Sequence, residues 1–130
     1  MPASDVKALP KVAVLCIDDD IRLLQCEKAF LETFGYTAVT ASSGREGLEL
    51  AKARSFDVVV VDYCMPEMDG QELAIAMRRL WPQTRIIMLS GIEKVPKQIL
   101  NVVDVFVAKG CLASELLSAI RSIKRETIGS

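Results

Sequence analysis

The chain has 130 residues, enough for one domain with a sizeable core. Half of them are hydrophobic (51%) and 25% are charged, a balance that excludes a disordered segment. The formal charge is -1, with no basic block suited to nucleic acid or an anionic membrane surface, and no apolar run nears the ~20 residues of a membrane span. Histidine is absent, which excludes Ser-His and Cys-His dyads and removes the commonest transition-metal ligand. Cys16, Cys26, Cys64 and Cys111 form no C-x-x-C pair and no zinc spacing, and read as reduced thiols of a cytoplasmic protein.

In chain order, residues 1–10 are a polar, proline-bounded lead expected to be poorly ordered. Lys11 to Ile17 is an apolar run of strand length that ends in Asp18-Asp19-Asp20. From Ile21 the period becomes helical, with Ile21, Leu24, Leu31 and Leu23, Phe30, Phe34 recurring; Asp20 suits the N-cap and Gly35 the C-terminal glycine. Tyr36 to Ala41 is a shorter, more polar strand nearer an edge. Ser43-Gly44-Arg45-Glu46 then carries the capping-box pattern, with Leu48 and Ala51 behind it.

Phe56 and Asp57 lead into four consecutive valines, Val58 to Val61. β-branched residues in an unbroken run mark a strand covered on both faces. The run stops at Asp62, and Pro66 and Gly70 punctuate the loop that follows. Leu73, Ala74, Met77 and Leu80 give a third helix, ended by Trp81-Pro82. Arg85 to Leu89 is a fourth strand, followed by Ser90-Gly91. The next segment is short: Pro96 suits a helix start, and Ile99, Leu100 and Val103 suit its inner face. Val103 to Val107, interrupted by Asp104, reads as a fifth strand ending at Ala108-Lys109, and Leu112, Leu116, Leu117, Ile120 and Ile123 make a strongly periodic last helix. The domain is expected over residues 11–125, with a polar tail over 126–130.

Strands alternating with helices imply a mostly parallel α/β sheet covered on both faces. Right-handed crossovers leave few arrangements, and the flavodoxin-like order 2-1-3-4-5 is the common small one. In that order polar residues gather where such sheets place ligands: Asp18 and Asp19 after strand one, Asp62 after strand three, Ser90 after strand four and Lys109 after strand five. Each has an ordinary reading as a cap, a turn residue or a solvated charge; four strand ends meeting at one crevice favour a site. Two carboxylates about 5 Å apart repel by about 3 kcal/mol at an effective dielectric near 20, so a cation or a proton must offset them. An all-oxygen acidic cluster suits a hard cation, magnesium above all. Lys109 and Ser90 suit phosphoryl oxygens, and Asp62 can act as a nucleophile that becomes an acyl phosphate.

The chain resembles the receiver domains of two-component response regulators from Val12 to Ile123. The most specific parts are Ile17-Asp18-Asp19, the run from Val61 to Gly70, Ser90-Gly91, and Lys109 with Glu115 to Ile120. The resemblance implies that Asp62 takes a phosphoryl group from a histidine kinase or a histidine phosphotransfer protein. It implies that Asp18, Asp19, Asp62 and the Cys64 carbonyl hold Mg2+, Asp18 through water. Ser90 and Lys109 would bind the phosphoryl group, and Ser90 and Phe106 would switch a surface read by a downstream protein target. Catalysis would go no further than the domain's own phosphorylation and dephosphorylation.

The chain departs from the family pattern in three places. Gly110 stands where a proline in a cis peptide is usual, Phe106 where tyrosine is common, and Val102-Val103 where glycine-alanine is usual. The segment from Ser90 to Lys109 is also short, so the fourth helix is expected to be a stub or irregular. Two other readings stand beside this one. One is a receiver-like module that docks a partner without being phosphorylated. The other is a haloacid-dehalogenase-type phosphatase, whose nucleophile would lie among Asp18 to Asp20 and which generally needs a cap that this length does not hold. No effector domain is expected within the chain, so it reads as a single-domain regulator or as part of a larger one. A homodimer through the last helix is left open.

Overall fold

The computed structural model describes residues 11–65, 68, 70–91, 97–109 and 113–129, and of residues 98, 100 and 124–129 the backbone only. Five strands, β1 (Ala13–Ile17), β2 (Thr37–Ala41), β3 (Val58–Asp62), β4 (Arg85–Ser90) and β5 (Val105–Ala108), form one sheet in the order β2-β1-β3-β4-β5. Every neighbouring pair is parallel. Helices α1 (Ile21–Thr33), α2 (Gly44–Ala53), α3 (Gly70–Leu80) and α4 (Ala113–Gly129) supply the crossovers, with a 3-10 turn, Lys97–Asn101, between β4 and β5. This is the expected flavodoxin-like arrangement with a short fourth crossover. Pro66, Glu67, Asp69, Pro96, Cys111, Leu112, the side chain of Leu100, the Lys109–Gly110 bond and the lead over residues 1–10 lie outside the described residues.

The unbroken apolar strands have the structure they imply. Alternate residues face opposite layers: Leu15, Ile17, Val59, Val61, Ile86 and Met88 pack with Ala51 of α2 and Leu73 and Met77 of α3. Val14, Cys16, Val58, Val60, Ile87 and Leu89 pack with Leu24 and Leu31 of α1 and Leu116, Leu117, Ile120 and Ile123 of α4. Each fully buried aliphatic side chain contributes about 2 kcal/mol, so two continuous layers hold the sheet and fix its register. A one-residue slip of β3 would exchange its two sets of valines but would also carry Asp62 out of the crevice.

Local signals end the helices as expected. Asp20 caps α1 by accepting from the Leu23 N–H (3.2 Å), and Ser43 caps α2 by accepting from the Glu46 N–H (3.1 Å). The Glu46 carboxylate reaches back one residue further than a capping box does, to the Ser42 N–H (2.7 Å). Gly35 sits at φ +93°, and the N–H groups of Gly35 and Tyr36 donate to Glu32 and Leu31, closing α1 with the two bonds of a Schellman motif.

Several expectations are corrected. β1 starts at Ala13 rather than Lys11, and β2 at Thr37 rather than Tyr36. β5 starts at Val105 rather than Val103, because Val103 is buried and Asp104 is taken up by bonds to β4. On α1, Ile21 (58% exposed) and Phe34 (46%) do not join the core, and buried Glu27 occupies the place between Leu24 and Leu31. Leu80 is also exposed.

Candidate functional site

The carboxyl ends of β1 and β3 lie side by side, since Ile17 is paired with Val61. The next residue on each strand is an aspartate, so the register alone brings Asp18 and Asp62 together. Asp18, Asp19 and Asp62 offer carboxylate oxygens that all lie within 4.8 Å of one another. Asp18 and Asp62 are 1% exposed, while Asp19 is open to solvent.

Lys109, one residue beyond β5, closes the cluster. Its Nζ lies 2.6 Å from Asp62 Oδ2 and 3.9 Å from Asp18 Oδ1. The Lys109 N–H donates to the Ser90 carbonyl (2.8 Å), so the end of β4 positions the lysine. Ser90 itself is half-buried, one residue past Leu89, which pairs with Asp62 in the sheet. The Cys64 N–H donates to Asp62 Oδ1 (3.3 Å), and its thiol is exposed. Phe106, paired with Met88 across β4 and β5, is half-buried against the layer that holds α2 and α3.

The loop after β3 is held by its glycine. The Gly70 N–H donates to the Tyr63 carbonyl (2.7 Å), and a Cβ there would stand 2.6 Å from Tyr63 Cα and 2.7 Å from the Asp62 carbonyl. Only a residue without a side chain lets the start of α3 approach the Asp62–Tyr63 backbone so closely.

The electrostatics follow from burial. Burial pushes the Asp18 carboxyl up to about 6, with the Asp62 charge adding to the rise and the Asp20 N–H bond (2.9 Å) opposing it. Burial alone would lower the Lys109 pKa, but its bond to Asp62 and the charge of Asp18 raise it above the usual lysine value. One layer deeper, Glu27 is pushed up to about 7 by burial and by the Asp18 charge. Burial likewise raises the Cys16 thiol well above its ordinary value, with Glu27 beside it. Among the described residues, Asp18 Oδ2 is a buried side-chain oxygen without a hydrogen-bond partner. Three carboxylates facing one lysine leave net negative charge and an unfilled acceptor in the same place.

The family model of the response regulator receiver domain matches residues 14–121. The chain belongs to that family. The chemotaxis protein CheY4 of Vibrio cholerae is 31% identical in sequence and superposes with a TM-score of 0.79, covering 87% of this chain and 98% of its own. A CheY-like receiver domain protein from Methanospirillum hungatei is 28% identical, with a TM-score of 0.86 over 90% of this chain and 96% of its own. The cell cycle response regulator CtrA of Brucella ovis is 28% identical over 119 residues, 89% of this chain. This chain spans about half the length of such curated relatives, 51% in that case.

The structure thus brings Asp18, Asp19, Asp62, Lys109 and the Cys64 backbone to one crevice and puts Ser90 and Phe106 on the strands beside it. Asp57 and Asp104 stand at strand entries in the sequence reading without a role. Asp57 Oδ2 accepts the Ala13 N–H (2.8 Å) and Asp104 Oδ2 the Ile86 N–H (2.7 Å). Each is an acid just before a strand, and that position was the available signal.

Among the described residues, no helix is long and apolar enough to cross a membrane.

Proposed function

We propose that this receiver domain accepts a phosphoryl group on Asp62 and that the modification changes a surface read by another protein. The observation that carries the proposal is the Asp18–Asp19–Asp62 cluster, with Lys109 resting on Asp62 and the buried Asp18 Oδ2 left without a partner. A carboxylate oxygen of Asp62 attacks phosphorus. The bond from phosphorus to the donor breaks, its electron pair leaves with the donor, and an acyl phosphate remains. The Lys109 ammonium, raised in pKa and so charged throughout the physiological range, moves from the carboxylate to the incoming phosphoryl oxygens. Ser90, at the end of the adjacent strand, supplies a hydroxyl to the same oxygens.

The donor set fits a hard divalent cation: it is all oxygen, acidic, and holds one orphaned acceptor. Asp18, Asp19, Asp62 and the Cys64 carbonyl are the groups that would hold Mg2+. When bound, the ion would neutralise charge on the carboxylates and on the transferring phosphoryl group. Family membership supports a phosphohistidine donor on a histidine kinase or phosphotransfer protein, a protein target and a cytoplasmic setting. Ser90 and Phe106 are the residues that would carry the change outward.

A haloacid-dehalogenase-type reading would put the nucleophile among Asp18 to Asp20. Asp20 is spent on capping α1, and Lys109 Nζ lies 2.6 Å from Asp62 against 3.9 Å from Asp18, so the geometry favours Asp62.

Intact-mass spectrometry after incubation with acetyl phosphate tests the reading. One phosphoryl adduct is expected, dependent on Mg2+ and lost in Asp62→Asn. An adduct that persists in Asp62→Asn, or none in the wild type, would count against Asp62 as acceptor.

A further inference from the structure

The described part of the fourth crossover, from Lys97 to Asp104, is held by one side chain. Arg78 lies in the last turn of α3. Its Nη1 donates to the carbonyls of Thr84 (2.6 Å) and Pro82 (3.0 Å). Its Nη2 and Nε donate to the carbonyl of Val102 (2.7 and 3.2 Å), and Nη2 also reaches Asp104 Oδ2 (2.8 Å). Asp104 in turn accepts from the Ile86 N–H (2.7 Å) and from Arg85 Nη1 (3.2 Å), and its own N–H donates to the Ile86 carbonyl (2.9 Å). One guanidinium therefore joins the end of α3, the connection to β4, the exit of the 3-10 turn and the entry to β5. Ile99 and Val103, buried on either side of Val102, lock the same exit into the core.

At the other end of these two strands the described side-chain attachment is to the pocket itself, through Lys109 Nζ and Asp62 (2.6 Å). The Lys109 N–H bond to Ser90 continues the ladder, β5 is the sheet edge, and its residues are half-buried or exposed. We infer that Arg78 is a positioning residue for the phosphorylation response. It pins the entry ends of β4 and β5, so that a change at the Asp62 pocket is confined to Ser90, the Phe106 side chain and Val107 to Lys109. The inference rests on Asp62 as phosphoacceptor. A planar fork is needed to reach three carbonyls and a carboxylate at once. Lysine keeps the charge but offers a point donor and cannot replace it.

Hydrogen exchange read by mass spectrometry, with intact mass in parallel, tests this in wild type, Arg78→Lys and Asp104→Asn, each with Mg2+ and with or without acetyl phosphate. Trp81, the only tryptophan, adds a fluorescence readout, because it lies three residues beyond Arg78 and its Nε1 donates to the Ala51 carbonyl (2.6 Å). In wild type, modification should change exchange at Ser90 and Val107 to Lys109 and leave Ile86, Val102 to Asp104 and Trp81 emission unchanged. In unmodified Arg78→Lys, exchange at Ile86 and Asp104 should rise roughly tenfold with the central strand β3 unaltered, and modification should then move Trp81 emission. Asp104→Asn, which keeps an acceptor for the Ile86 N–H, should loosen the same amides less. A wild-type response as large at Val102 to Asp104 as at Ser90 would overturn the pivot alone, as would Arg78→Lys behaving like wild type or loosening β3 equally. Absence of any adduct in wild type would instead remove the phosphoacceptor reading and the pivot with it.

Discussion

Lys109 stands where a cation would otherwise compete, 2.6 Å from Asp62 and 3.9 Å from Asp18. A single positive charge about 5 Å from a divalent ion costs that ion about 1.5 kcal/mol even at the dielectric of water. Lys109→Met should therefore tighten Mg2+ binding, measured by calorimetry at constant ionic strength, by about tenfold. The same variant should lose most of the acetyl phosphate adduct, because the charge that attends the phosphoryl oxygens is gone. Unchanged or weaker Mg2+ affinity would mean that the lysine supports the carboxylates more than it competes with the ion. The five side chains of the pocket and its rim were legible from sequence because each is a polar residue just past an apolar run. Glu27, Arg78 and Asp104 were not legible as they are used. Their partners are remote or masked by a helical pattern that charged residues also satisfy, and no local signal says that a carboxylate on α1 turns inward.

At the scale of elements, the strands were readable because both faces of the sheet are covered, which leaves an unbroken apolar run as the only workable composition. The boundaries at β5 were not, because Val103 and Val105 are both apolar but only the second pairs with β4. Two glycines separate packing that can yield from packing that cannot. A Cβ at Gly47 would meet the end of the Ile17 side chain at 2.4 Å, whereas one at Gly70 would meet backbone of Asp62 and Tyr63. Ile17 is buried and stiff about χ1, and its Cγ1 also stands 2.9 Å away. Alanine is nevertheless favoured over glycine in a helix and the obstacle is a side chain, so Gly47→Ala should cost about 1–2 kcal/mol. Gly70→Ala meets backbone instead. It should cost about 2–3 kcal/mol in urea unfolding and, by displacing the Tyr63–Cys64 turn, weaken Mg2+ binding as well. Equal losses in the two variants would show that α3 can retreat from β3 without disturbing the pocket.

At the scale of the whole molecule, the acidic pocket and the core are electrostatically continuous. Glu27 is 7% exposed on the inner face of α1, and its carboxyl is raised from 4.5 to about 7, first by burial and then by the charge of Asp18. Its folded-state pKa lies above the unfolded value, so the native state binds the proton more tightly. The stability this contributes is complete below about pH 4.5, declines as pH rises, and is lost once pH passes about 7. At 1.36 kcal/mol per unit, the loss between those limits is about 3 kcal/mol. Glu27→Gln keeps the shape and removes the titration. Urea unfolding of the metal-free protein at pH 6 and pH 8.5 should therefore show a fall in wild-type stability of about 1.4 kcal/mol that is much smaller in Glu27→Gln. Mg2+ should reduce the fall in wild type as well, because a cation at the pocket offsets the Asp18 charge that helps hold the Glu27 proton. A wild-type stability flat across this range would mean that Glu27 is ionised in the fold at neutral pH, compensated by a group not yet identified. A slope that persists undiminished in Glu27→Gln would assign the titration to Asp18 instead.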